Sequence, residues 1–172
     1  MNKKELFDKL HYHYDKQKGN LELTYGHLDG GGNPKWLKWR KYLDVQSDEK
    51  FLGKVNNRSI LPNEIVLDIE DPKLFPDILL RVKEDFEFYS AYKTGSKGYH
   101  IDLWFKEEIT KKEKEAVIHG YQADKQKAID RNLIALEHFP HWKTGVPKTL
   151  IEEKEGFNDV FTVRSFLKKL DL

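Results

Sequence analysis

Cysteine is absent from the 172 residues, and its absence excludes disulfides, iron–sulfur clusters and thiolate zinc sites. The fold must stand without staples. Long apolar runs are missing too: nothing approaches the roughly 20 residues that a membrane-spanning helix requires. Met1 to Glu5 leads into an amphipathic pattern rather than an apolar signal region, so a cytoplasmic protein with no membrane partner is expected. A strong net charge is also lacking. At +1 the global field does not advertise nucleic acid, and a polyanion site has to be a local patch. The charges are unevenly placed, with residues 2–60 rich in Lys and Arg and residues 61–100 rich in acids. Aromatic residues make up 13% of the chain, too many for a disordered segment. The length suits one domain, 1–172, with an N-terminal lobe over 1–60 and a larger lobe over 61–172.

In the first lobe, Leu6, Phe7, Leu10 and Tyr14 recur at helical spacing and predict an amphipathic helix from Lys3 to about Lys18, closed by Gly19. Leu21 to Tyr25 alternates like a strand, and Asp29-Gly30-Gly31-Gly32-Asn33-Pro34 reads as a flexible loop. In Lys35-Trp36-Leu37-Lys38-Trp39-Arg40-Lys41-Tyr42, bases and aromatics interleave. Two readings stay open: phosphate contacts beside stacking platforms, or a short element with Trp36, Leu37 and Tyr42 in a core. Asp44 to Val55 predicts another short helix and turn.

The second lobe is organised around Ile65-Val66-Leu67-Asp68-Ile69-Glu70-Asp71, bounded by Pro62 and Pro72. It is too short for a helix and reads as a buried strand. Side chains on a strand alternate, so Asp68 and Glu70 face one way while Leu67 and Ile69 face a core. Like charges side by side repel, and a divalent cation held by hard oxygen ligands removes that penalty; a solvated rim is the alternative. A helix is expected over Lys73 to Asp85, a strand over Phe86 to Tyr92, the turn Lys93-Thr94-Gly95-Ser96-Lys97-Gly98, and a returning strand from Tyr99 to Phe105. Thr110 caps a helix running to about Lys127. Leu133 to Leu136 and Thr149 to Ile151 extend, and Val160 to Leu170 predicts a closing strand and short helix. This order gives an α+β fold, an RRM-like antiparallel sheet with flanking helices that carries the acids, plus a smaller N-terminal α/β lobe.

The order of these segments resembles the catalytic core of the archaeo-eukaryotic primase superfamily, which includes small primase subunits, primase-polymerases and the polymerase domains of bacterial end-joining ligases. An apolar run followed by Asp-x-Asp/Glu is matched by Ile65 to Glu70, and the family's small residue, spacer and His by Ser96-Lys97-Gly98-Tyr99-His100. Its apolar residue and Asp are matched by Ile129-Asp130. Phe139-Pro140-His141-Trp142-Lys143-Thr144-Gly145 is similar to a Leu-His-Gly-Lys-Thr/Ser-Gly segment, with Trp142 in place of a glycine.

The resemblance implies template-directed nucleotidyl transfer with two Mg²⁺ or Mn²⁺ ions per site held by Asp68, Glu70 and Asp130, with Glu137 as the competing third ligand. Ser96, Lys97, His100 and Lys143 would bind the nucleoside triphosphate. Lys35, Lys38, Arg40 and Lys41 would grip a single-stranded or primed DNA template, alone or with an accessory subunit or helicase. No zinc is expected. The rival readings are a nuclease using the same carboxylates and a non-catalytic, RRM-like module that binds single strands.

Overall fold

The computed structural model describes residues 1–14, 16, 21–128 and 132–171. The chain begins with helix α1 (Lys3–Lys9), entered through a capping box in which Asn2 accepts from the Glu5 backbone N–H. It then widens into a π-helical turn over Leu10–Tyr14, where the sequence predicted an unbroken α-helix. The wider turn keeps both Leu10 and Tyr14 buried, with the Tyr14 ring stacked on Trp104 at 4.2 Å. Lys18 and Gly19, the expected end of that helix, lie outside the described residues.

Strands β1 (Glu22–Thr24), β2 (Gly26–Leu28), β3 (Pro34–Trp36) and β4 (Arg40–Lys41) follow. Helices α2 (Tyr42–Val45) and α3 (Glu49–Lys54) lead to β5 (Asn57–Ser59). β2 and β3 pair as a separate hairpin, a flap whose turn is held by the Asp29 carboxylate accepting from the N–H groups of Gly31 and Asn33, both at 2.9 Å.

The second half supplies β6 (Glu64–Ile69), α4 (Phe75–Asp85), β7 (Tyr89–Lys93), β8 (Tyr99–Trp104) and α5 (Lys111–Gly120). A 3₁₀ turn (Lys125–Ala128), β9 (Leu133–Ala135), β10 (Thr149–Lys154) and α6 (Val160–Leu170) complete it. Thr110 caps α5 as expected, in a second capping box with Glu113. The closing segment is helical throughout rather than strand and helix, because Val160, Val163 and Phe166 recur on one face and bury it against α5; Phe166 stacks on Tyr121 at 4.7 Å.

Among the described residues, two four-stranded antiparallel sheets form, in the orders β4-β1-β5-β9 and β10-β7-β8-β6. The α+β, antiparallel reading of the sequence holds. β8 runs between β6 and β7, which are joined by α4, the split β-α-β arrangement of an RRM-like core. The chain beyond residue 60 also returns β9 to the first sheet. One face of β6 sends Ile65, Leu67 and Ile69 into the main core beneath α4, α5 and α6. The opposite face carries Glu64, Val66 and Asp68 toward the first sheet, where Val66 packs with Ile60 and Ile134. No helix among the described residues is long and apolar enough to cross a membrane.

Candidate active site between the two sheets

The acids sit where β6 leaves the interior. Glu64 and Val66 are fully buried, Asp68 is half-buried and Glu70 is exposed, so this strand face grades from core to opening. Asp124 joins them: one carboxylate oxygen each of Asp68, Glu70 and Asp124 lies within 4.8 Å of the others. Its place depends on α5 ending at Gly120, after which the chain folds back and the Asp124 N–H donates to the Asp68 carbonyl at 3.1 Å. Sequence reasoning missed Asp124, because a helix continuing to Lys127 would have carried it past the strand. Asp130, the acid that the resemblance implies, lies outside the described residues.

His100 is the cross-strand partner of Asp68, and its Nε2 stands 3.5 Å from Asp68 Oδ1. Burial pushes the imidazole pKa down to about 4, with Lys148 and Lys127 acting in the same direction, so the ring is neutral at pH 7. Its Nδ1 has no hydrogen-bond partner among the described residues. Burial by itself would raise the Asp68 carboxyl, but His100, Lys127 and Lys148 around it hold it below the usual value, so the acid is ionised. Lys127 is pulled below its ordinary value by burial, and its Nζ donates to the Leu133 carbonyl at 2.7 Å.

The β7–β8 turn meets this floor through backbone contacts that glycine alone permits. Gly98 has φ +77°, and a Cβ there would collide with the Ile69 carbonyl at the acid end of β6. A Cβ on Gly95 would collide with the Val146 carbonyl, so the turn formed by residues 141–146 packs directly against the hairpin. The Thr144 hydroxyl donates to the Gly95 carbonyl and fastens the two. Inside the hairpin, Thr94 Oγ1 donates to the Lys97 carbonyl at 2.8 Å.

Together these elements enclose an open cavity of about 430 Å³, the size of a small-molecule site. Asp68, Glu70, His100 and Lys127 line one part of it, Ser96 and Lys97 another, and Trp36, His141 and Trp142 a third. The structure thus brings together five of the sequence-predicted residues: Asp68, Glu70, Ser96, Lys97 and His100. Lys143 is exposed on the adjoining turn and is not among the lining residues. Lys35, Lys38, Arg40 and Lys41 are exposed on and after the flap. Lys35 stands 4.0 Å from Asp29 and Arg40 3.3 Å from Asp48, surface pairs of little energetic consequence. Of the three residues expected in a core in that stretch, Tyr42 is buried, whereas Trp36 and Leu37 are exposed.

Glu137, the competing third ligand, is engaged elsewhere. Fully buried Arg58 bonds Glu137 at 2.7 Å and Glu64 at 2.8 Å and approaches Asp102 at 3.6 Å, while buried Lys148 stands 3.5 Å from Glu137. Burial opposes the Glu137 charge, but Arg58 and Lys148 outweigh it and hold the carboxyl far below its ordinary range. Burial, helped by Glu64 and Glu137, pushes Asp102 up to about 8. At neutral pH Asp102 therefore keeps its proton, and two carboxylates balance two cations.

No family model matches the sequence, and no curated protein matches it either. Solved structures do. The chain is similar to the archaeo-eukaryotic primase domain of the cyanophage S-2L primase-polymerase, with a TM-score of 0.65 and 13% identity over 96% of this chain and 98% of that one. It is similar to the primase RepB′ with a TM-score of 0.62 and 11% identity, covering 99% of this chain and 64% of the other. The catalytic domain of RepB′, solved with initiator DNA, gives the same score and identity over 99% and 96% of the two chains. The chain shares its fold with these primase structures, as the resemblance in the sequence implied.

Proposed function

We propose that the chain is a template-directed nucleotidyltransferase of the primase-polymerase type, joining nucleoside triphosphates to a primer 3′-hydroxyl or to a first nucleotide. The observation that carries this reading is the cavity between the sheets, where Asp68 and Glu70, clustered with Asp124, face a Ser-Lys turn and a neutral histidine. Fold likeness to proteins described as a primase-polymerase and a primase supports it. Asp68, Glu70 and Asp124 would hold Mg²⁺ or Mn²⁺, since ionised carboxylates are the hard oxygen donors such ions take. Bound there, the ions supply activation of the attacking hydroxyl and charge neutralisation at the leaving pyrophosphate.

The protein's own part is positioning. Ser96 and Lys97 hold phosphate oxygens at the turn, neutral His100 donates an N–H to the same group, and Lys127 adds a cation on the facing side. Lys143 extends the positive surface outside the cavity. Lys35, Lys38, Arg40 and Lys41 bind template phosphates beside the flap, with DNA as the partner. The primer 3′-oxygen displaces pyrophosphate from the α-phosphorus, and the hydroxyl proton leaves to solvent.

Incubation with labelled nucleotides, Mn²⁺ and single-stranded or primed DNA tests this. Lengthened products with equimolar pyrophosphate are expected, and strand cleavage or no product would refute it. Extension by Asp124→Asn and Asp130→Asn variants decides which residue is the third acid.

A further inference from the structure

We propose that Trp36 and Trp142 form a stacking platform for the base of the incoming nucleoside triphosphate; this rests on the nucleotidyltransferase reading and assigns the part of the cavity that the phosphates do not use. The two indoles come from distant segments, one from the flap and one from the turn formed by residues 141–146. They meet edge to face with ring centroids 5.0 Å apart and planes at 66°. Trp36 is 39% exposed. Both line the cavity that holds the acids and the Ser-Lys turn. An indole left open beside a cleft contributes little to a core, and its π-face is a surface on which a base stacks.

Both rings are held from behind. Trp36 is the cross-strand partner of Gly26, and its ring lies so close over that glycine that a Cβ there would overlap it. Trp142 follows His141, whose ring lies 5.9 Å away at 29° to it and whose Nδ1 accepts from the Lys143 N–H at 3.1 Å. Because Thr144 fastens this turn to Gly95, Trp142 has a fixed position relative to Ser96 and Lys97. A triphosphate held at Ser96 and Lys97 leaves its base on the Trp36–Trp142 side. Every base has a π-face, so the platform takes all four, with purines favoured over pyrimidines by area.

The test is calorimetric titration with ATP, dATP, TTP and inorganic tripolyphosphate, with Ca²⁺ in place of Mg²⁺ to prevent turnover, after thermal melts show that each variant is folded. Trp36→Ala and Trp142→Ala are expected to weaken ATP and dATP by about tenfold or more, TTP by less, and tripolyphosphate by less than twofold. Trp36→Phe and Trp142→Phe should recover most of the loss. Gly26→Ala, which displaces Trp36 without removing a charge or a ring, should weaken ATP and leave tripolyphosphate unchanged. Equal losses for ATP and tripolyphosphate, no loss for either, or a loss confined to single-stranded oligonucleotide would overturn the platform alone. Failure of the unmodified protein to bind either ATP or tripolyphosphate would instead remove the nucleotidyltransferase reading beneath it.

Discussion

The same face of β6 carries carboxylates at both ends, and the two ends behave in opposite ways. At the inner end Glu64 is fully buried and doubly bonded to Arg58, which also takes Glu137, with Lys148 alongside. At the outer end Asp68 and Glu70 gather with Asp124 around open space, with His100 uncharged beside them. Buried charge is tolerable only when paired and hydrogen-bonded. The inner cluster contains its own cations and is finished as folded, whereas the outer one gathers three carboxylates beside open space, the set proposed above to hold a divalent cation. Four residues along one strand thus separate a closed brace from a cluster that opens on the cavity.

Removing a member of each set should break the comparison in different observables. Arg58→Ala leaves Glu64 and Glu137 buried without their partner and should destabilise the protein by about 3–5 kcal/mol, read by urea denaturation; a loss under 1 kcal/mol would contradict the brace. Asp68→Asn should lower nucleotide incorporation by about 10²–10³-fold while the thermal midpoint stays within a few degrees, since an amide of the same size keeps a polar contact to His100. Mn²⁺ at about 100 times its dissociation constant should stabilise the unmodified protein by about 2.7 kcal/mol. Asp68→Asn and Asp124→Asn should abolish most of that gain, and Glu137→Gln should not abolish it.

A pH-dependent effect concerns Asp102, whose carboxyl is pushed up to about 8 by burial. Between its unfolded value of about 3.9 and pH 8, the unfolded chain releases this proton while the folded one retains it. Stability is therefore greatest on the acid side and declines as pH rises through that window. Asp102→Asn should flatten the decline between pH 5 and 8 in denaturation curves, and an unchanged slope would show that Asp102 is ionised in the folded state. Glu137 has the opposite sign: its depressed pKa contributes stability above its unfolded value that is lost as pH falls.

Short-range rules made the outer cluster legible. Alternation within a strand bounded by Pro62 and Pro72 put Asp68 and Glu70 on one side, and a glycine-rich turn between two alternating runs gave the hairpin with Ser96, Lys97 and His100. The inner cluster was not legible, because Arg58 and Glu137 are 79 residues apart and no local pattern relates them. Asn56-Asn57-Arg58-Ser59 read only as a lead-in to the acidic strand, yet it contains β5. Asp124 was hidden by the place where α5 stops, a boundary that lysine- and glutamate-rich helical sequence does not mark. Val160 to Leu170 misled for a related reason: its β-branched residues suit a strand locally, but packing on α5 sets the helix.

Gly95 and Gly98 bind the hairpin to its neighbours through main-chain atoms, Val146 on one side and Ile69 on the other. The separation between the end of β6 that leads to Glu70 and the turn that carries Ser96 and Lys97 is consequently a dimension of the backbone, like the throat of a gauge. Exchanging Ser96 or Lys97 alters only the side chains that line that gauge. A methyl group at either glycine alters its width.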